Sequence, residues 1–129
     1  MPVTGFSHFN LRASRPVLEA LREFYVDLIG LEIGQRPASR RFGYWLYAGP
    51  RDLLHLTEAD ADEHRAMNVV GTLDHIAFAC SGRAAFEARL RERGVSYRVA
   101  DNTQGGPRQL FLSDPAGNGI ELNFADDDA

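Results

Sequence analysis

FLSDPAGNGIELNF, residues 111–124, reads as two strands around a tight reversal. Asp114, Pro115, Gly117, Asn118 and Gly119 are the residue types a turn demands, through permissive backbone angles or a short side-chain acceptor. On the outgoing strand Ile120, Leu122 and Phe124 share one face, and Glu121 points the other way with Asn123, because side chains alternate along a strand. A carboxylate so placed is ordinarily the solvent side of a half-buried strand. Glu121 stands out through its partner. DLLHL, residues 52–56, is again an apolar strand with a metal-capable side chain at the same place, His55, 66 residues upstream of Glu121. Ser7-His8-Phe9 and Asp74-His75-Ile76 repeat the relation at 67 residues. Two pairs of candidate ligands at nearly one offset predict an internal duplication.

Working outward from these strands, each half reads β-α-β-β-β. In the first, Phe6 to Ala13 alternates as a strand, with Phe9 and Leu11 opposite His8 and Asn10. Ser14 and Pro16 mark a helix start, and Leu18, Leu21, Phe24, Tyr25 and Leu28 follow at helical spacing to Gly30. Leu31 to Arg36 and Phe42 to Ala48 are the next strands, the second rich in aromatics. Trp45 and Tyr47 share one face of it, Tyr44 and Leu46 the other, and the pattern leaves open which pair is core and which is free to line a pocket. Glu58 to Gly71 is an acidic, solvated connector with room for a helical turn. In the second half Thr72 to Cys80 is a strand and Gly82 to Arg93 a helix with Phe86 and Leu90 inward, ended by Gly94. Val95 to Ala100 is a strand and Asp101 to Pro107 a loop, before the closing pair Gln109 to Ser113 and Gly119 to Phe124. Asp126 to Asp128 form an acidic tail. The expected organisation is one domain over residues 1–129: a module over about 5–57, a connector over 58–71 and a second module over about 72–125. Because Phe9/Leu11, Leu54/Leu56, Ile76/Phe78 and Ile120/Leu122 claim the core, His8, His55, His75 and Glu121 are expected on the opposite face.

Composition narrows the function. A chain of 129 residues with 44% hydrophobic and 25% charged residues can build one ordinary soluble domain. The net charge of −4 offers no basic excess for nucleic acid or an anionic membrane. No apolar run approaches the roughly 18 residues of a membrane span, and the N-terminal residues lack the pattern of a signal peptide. A single cysteine, Cys80, excludes an intrachain disulfide and fits a reducing cytoplasm. All 14 basic residues are arginine, so lysine Schiff-base chemistry and a Walker-type phosphate loop are excluded. His64, in the acidic connector, reads as a surface residue. Arg108 and Gln109 precede the last hairpin, where either a place at the site or exposure is open to them.

The order SHFNLRAS, EFYVDLIGLEIGQR, LLHL, DHIAFACS, FLSDPAGNGIEL resembles the vicinal oxygen chelate superfamily, the group of glyoxalase I, the extradiol dioxygenases and the fosfomycin-resistance proteins. The resemblance covers nearly the whole chain. It implies an α+β glyoxalase-like fold, in which two βαβββ modules form a curved, cup-shaped mixed sheet around one divalent metal. By that resemblance His8, His75 and Glu121 match the three most widely shared ligands. His55 falls where glyoxalase I carries a carboxylate ligand and some relatives a non-ligand. Imidazoles and a carboxylate suit Zn, Ni, Fe, Mn or Co.

The function so implied is lyase- or isomerase-type Lewis-acid chemistry on a small substrate that offers two oxygens, with Glu121 as the base. Four protein ligands leave two octahedral positions for such a substrate. Three ligands leave room for dioxygen as well, the arrangement of an extradiol Fe(II) dioxygenase. A fosfomycin-type transferase or a bleomycin-resistance-like drug-binding protein are the other readings the superfamily allows. A small-molecule partner and a homodimer are expected, with no nucleic acid and no membrane.

Overall fold

Strands exist only where a neighbour completes their hydrogen bonds, and this shortens the first strand of each half. A computed structural model describes residues 2–100 and 108–124. In it β1 is Phe9–Ala13 rather than Phe6 to Ala13, because its ladder with β4 (Arg51–Glu58) begins at Phe9 opposite Leu54. Phe6 lies outside the ladder and is 62% exposed. Likewise β5 is Ile76–Cys80, paired from Ile76 opposite Ile120, and Leu73 stays exposed before it. His8 and His75 thus each sit one residue before a strand rather than within one. The expected loop over 101–107 and the acidic tail over 126–128 lie outside the described residues.

Helix α1, Arg15–Glu23, starts after Ser14, which takes an extended N-cap conformation but makes no side-chain capping bond. The chain continues as a π-helical segment, Phe24–Ile29, where a continuous α-helix is expected from the spacing. The wider turn buries Tyr25, Leu28 and Ile29 together. Gly30 ends it at φ 99°, and its N–H bonds the Tyr25 carbonyl at 3.0 Å. β2 is Glu32–Gly34 and β3 is Gly43–Ala48. In the second half α2 is Arg83–Glu92, β6 is Arg98–Ala100, β7 is Arg108–Ser113 and β8 is Gly119–Phe124. The fold is α+β, each half reading β-α-β-β-β as expected.

The chain forms two compact units, Met1–Ala66 and Met67–Ala129. Each holds one four-stranded mixed sheet, ordered β1-β4-β3-β2 in the first and β5-β8-β7-β6 in the second. β1 runs parallel to β4 and β5 parallel to β8, with the remaining pairs antiparallel. In the N-terminal unit α1 packs on β4 and β1, and Leu18, Leu21, Tyr25, Leu46, Leu54 and Leu56 are fully buried. Leu46 decides the open question on β3: its face is core. The C-terminal core is Leu90, Leu110, Ile120, Leu122 and Phe124, with Phe86 half-buried beside Phe124. The connector forms a turn at Asp60–Glu63, not a helical turn, and His64 is exposed.

Candidate metal centre

In the N-terminal unit, β3 and β4 pair Trp45 with His55 and Leu46 with Leu54, and then slip. Tyr47 pairs with Asp52, so Leu53 is an extra residue in β4. A bulge of this kind resets the alternation of side chains. Asp52, three residues from His55, would otherwise point to the opposite face. Here its Oδ2 lies 2.7 Å from His55 Nε2. A carboxylate only accepts, so Nε2–H donates and the bond holds the imidazole in one orientation. Burial by β4 leaves His55 only 7% exposed. Trp45 stacks on its ring at 3.9 Å and 8°, and His8 stacks on it at 3.7 Å and 17°. The donor atoms of His8, Asp52 and His55 all lie within 4.8 Å of one another. Asp52 is not foreseen as a site residue, its signal being hidden by the bulge, whereas Trp45 lies on one of the two β3 faces between which the sequence left the pocket lining open.

The C-terminal unit has no such slip, and β7 pairs with β8 without interruption from Ser113–Gly119 to Arg108–Phe124. The turn between them is organised by Asp114. Its Oδ1 accepts from the backbone of Ala116 at 2.9 Å and of Asn118 at 3.0 Å, and Oδ2 accepts from Asn118 Nδ2 at 2.9 Å. Gly117 takes φ 90° there, a left-handed angle that favours glycine. Gly119 lets the segment before β5 approach closely, since a Cβ at Gly119 would overlap the Asp74 carbonyl oxygen. That approach brings His75 to Glu121. His75 Nε2 lies 3.1 Å from Glu121 Oε1, and Gln109 Nε2 donates to Glu121 Oε2 at 3.2 Å. Phe111 meets the His75 ring edge-on at 5.6 Å. Of the two residues left open by the sequence, Gln109 is the one that reaches Glu121.

His75 Nδ1 gives its proton to Asp74 Oδ2 at 2.8 Å, which leaves Nε2 as the nitrogen facing the Glu121 carboxylate. Two acceptors at 3.1 Å need a cation between them, either a second proton on His75 or a metal ion. The Asp74 hydrogen bond, with the Glu121 charge behind it, raises the His75 pKa above the ordinary histidine value. The same spacing suits two adjacent ligand atoms each about 2.1 Å from an ion. Imidazole and carboxylate donors therefore fit a divalent transition metal on chemistry as well as on spacing. The structure brings His8 to His55 and His75 to Glu121. Cys80 contributes no donor: burial pushes its thiol up to about 11, and Sγ points at the Phe78 carbonyl.

Residues 5–122 match the family model of the Glyoxalase/Bleomycin resistance protein/Dioxygenase superfamily. The chain belongs to that superfamily. Solved structures of superfamily type share its fold over nearly their full length. A Bacillus anthracis protein assigned to the glyoxalase family is 23% identical, with a TM-score of 0.71, over 97% of this chain and 98% of the other. TnmS3, an antibiotic binding protein from Streptomyces sp. CB03234, is 27% identical at TM-score 0.68, over 97% of this chain and 98% of that one. The fosfomycin resistance protein FosX from Listeria monocytogenes is 20% identical at TM-score 0.69, over 96% and 95%. Among curated proteins none matches significantly.

Proposed function

We propose that this superfamily member is a divalent-metal-dependent, glyoxalase-like enzyme, with His8, His55, His75 and Glu121 as its metal donors. One observation carries the reading: the donors come in two equivalent pairs. His8 and His75 each precede the first strand of a unit by one residue, and His55 and Glu121 occupy matching places on β4 and β8. A FosX variant has been solved with Mn(II), which supports a divalent ion on this fold. Such an ion supplies Lewis-acid polarisation of two substrate oxygens. The residues around it have distinct tasks. Gln109 anchors Oε2 of Glu121, and Oε1, which faces His75 Nε2, is the atom that would take a carbon-bound proton from the substrate once Glu121 is released as a metal donor. Asp74 holds Nδ1–H of His75 and so keeps Nε2 directed at Glu121. Trp45 offers an indole beside His55 against which a flat substrate can lie.

Metal analysis of the protein purified without added metal, compared with His75→Ala and Glu121→Ala, tests the reading. Sharply reduced occupancy with the fold intact is expected in each, and full occupancy in both would exclude it. A second reading, a drug-binding protein without catalysis, is favoured by the likeness to TnmS3, the most identical of the structures compared above. Under it the purified protein would carry no stoichiometric metal. The protein is further inferred to be a cytoplasmic homodimer. Among the described residues no helix is long and apolar enough to cross a membrane, and the three-residue strands β2 and β6 leave sheet edges to protect. Light scattering at micromolar concentration should give twice the 14.3 kDa of one chain, and a mass of 14.3 kDa would contradict the dimer.

A further inference from the structure

We propose that Asp52 and Trp45 are positioning residues for His55, and that they make Nδ1, not Nε2, its donor nitrogen. The inference rests on the proposal that His55 is a metal donor, and it assigns the residues that prepare it. Three observations carry it. The bulge at Leu53 turns Asp52 onto the His55 face and places Oδ2 2.7 Å from Nε2. A neutral imidazole carries one N–H and one lone pair, so committing Nε2–H to Asp52 leaves the lone pair on Nδ1. The ring can neither tilt nor slide. Trp45 and His8 stack on it at 3.9 Å and 3.7 Å, too close for both to share one face, so they cover opposite faces.

The stack also sets an order among the rings. An imidazole lone pair lies in the ring plane. Two rings at 17° and 3.7 Å therefore hold their lone pairs in nearly parallel, separated planes, and one ion cannot lie in both planes at bonding distance. Short distances among His8, Asp52 and His55 are not enough for joint ligation as they stand. One ring has to turn. His55 is buried, hydrogen-bonded to Asp52 and paired in the ladder opposite Trp45. His8 is exposed and lies before β1, and among the described residues it has only Ser7 Oγ within hydrogen-bond reach, at 3.0 Å from Nδ1. His8 is the ring that leaves the stack on metal binding, and the Trp45–His55 pair stays.

The test uses the full chain and Co²⁺ as the probe. In the metal-free protein, ¹⁵N NMR of the histidine side chains should show His55 as the Nε2–H tautomer, and Asp52→Ala should lose that preference. Asp52→Asn, whose amide oxygen still accepts, should restore it. Removing a partner that orients a ligand weakens metal binding by about 10- to 100-fold, so Asp52→Ala should lose Co²⁺ affinity by that much and Asp52→Asn should recover most of it. An Nδ1–H tautomer for His55 in the unaltered protein overturns the proposal without any variant having to fold. So does unchanged Co²⁺ affinity in Asp52→Ala. Failure of the metal reading itself looks different: His75→Ala and Glu121→Ala would then bind Co²⁺ as the parent does, while the His55 tautomer would still follow Asp52.

Discussion

The two units share one strand order and one placement of candidate donors, yet their chemistry has diverged at a single backbone feature. In the N-terminal unit β4 carries an extra residue, Leu53, and that residue brings Asp52 beside His55. In the C-terminal unit the equivalent place is Gly119, the ladder is unbroken, and Asn118 at the place of Asp52 spends its side chain on the Asp114 turn. The strand donor differs accordingly. His55 is a ring, stacked face-on by Trp45; Glu121 is a carboxylate, held by Gln109, while Phe111 at the place of Trp45 meets His75 in a T-shaped contact. The lesson is physical. A duplicated frame fixes where a donor projects, and local backbone geometry decides what supports it.

The sharpest way to break the comparison is at Gly119. A methyl there would run into the Asp74 backbone, which cannot rotate away as a side chain would. Overpacking of this kind costs about 1–3 kcal/mol, and relief by movement of Asp74 would separate His75 from Glu121. Gly119→Ala is therefore expected to lower the denaturation midpoint and the metal occupancy together. Leu53→Ala, at the matching place in the N-terminal unit, removes a half-buried side chain at a bulge and should cost less. Equal losses in the two variants would show that the close approach at Gly119 does not position His75.

A smaller effect is expected from the two aromatic partners. The Trp45 indole stacks on the His55 ring at 3.9 Å and 8°, while Phe111 and His75 meet T-shaped at 5.6 Å and 86°. Aromatic pairs contribute about 0.5–1.5 kcal/mol beyond the area they bury. In double-mutant cycles, with each histidine replaced by alanine, the Trp45–His55 coupling energy should exceed that of Phe111–His75. The reverse order would mean that the stack does not hold His55.

Much of this was legible in the sequence, and what was not has definite causes. The alternation Leu54-His55-Leu56 and Ile120-Glu121-Leu122 correctly assigned the core face, because buried leucine and isoleucine leave no choice of register. Gly30 and Gly94 marked the helix ends through their positive φ values. The Asp114 turn followed from its residue types. Asp52 was not visible as a partner of His55, because strict alternation puts residues three apart on opposite faces and no residue type announces a bulge. The π-helical segment was equally silent: Tyr25 and Leu28 are buried in either kind of helix. Strand starts at Phe9 and Ile76 depend on where a neighbour begins, which is a tertiary fact. Glu121 stood out in the sequence, and Gln109 could be linked to it only once the β7–β8 register was known.

The smallest expected effect concerns an ion-pair clamp that the duplication does not repeat, since Arg12 has Ala79 as its counterpart. Arg12 Nε and Nη2 donate to the two Glu63 oxygens at 2.8 and 2.6 Å, Arg65 joins the same carboxylate, and Asp60 pairs with Arg41. The clamp fastens the connector to β1. The Arg12 and Arg65 hydrogen bonds hold the Glu63 carboxyl at about 2, below its ordinary 4.5. A carboxyl lowered by folding stabilises the folded state above its unfolded pKa, and that contribution disappears as pH falls through the folded value. The window here runs from about 4.5 down to about 2. Thermal unfolding of the parent protein and of Glu63→Gln should therefore differ near neutral pH and converge across that window. The charges are close to solvent, so raised salt should narrow the difference as well. A difference that stays constant from neutral pH to pH 2 would show that the Glu63 charge adds nothing to the N-terminal unit. Its hydrogen bonds, which the glutamine amide oxygen can partly keep, would then account for the whole clamp.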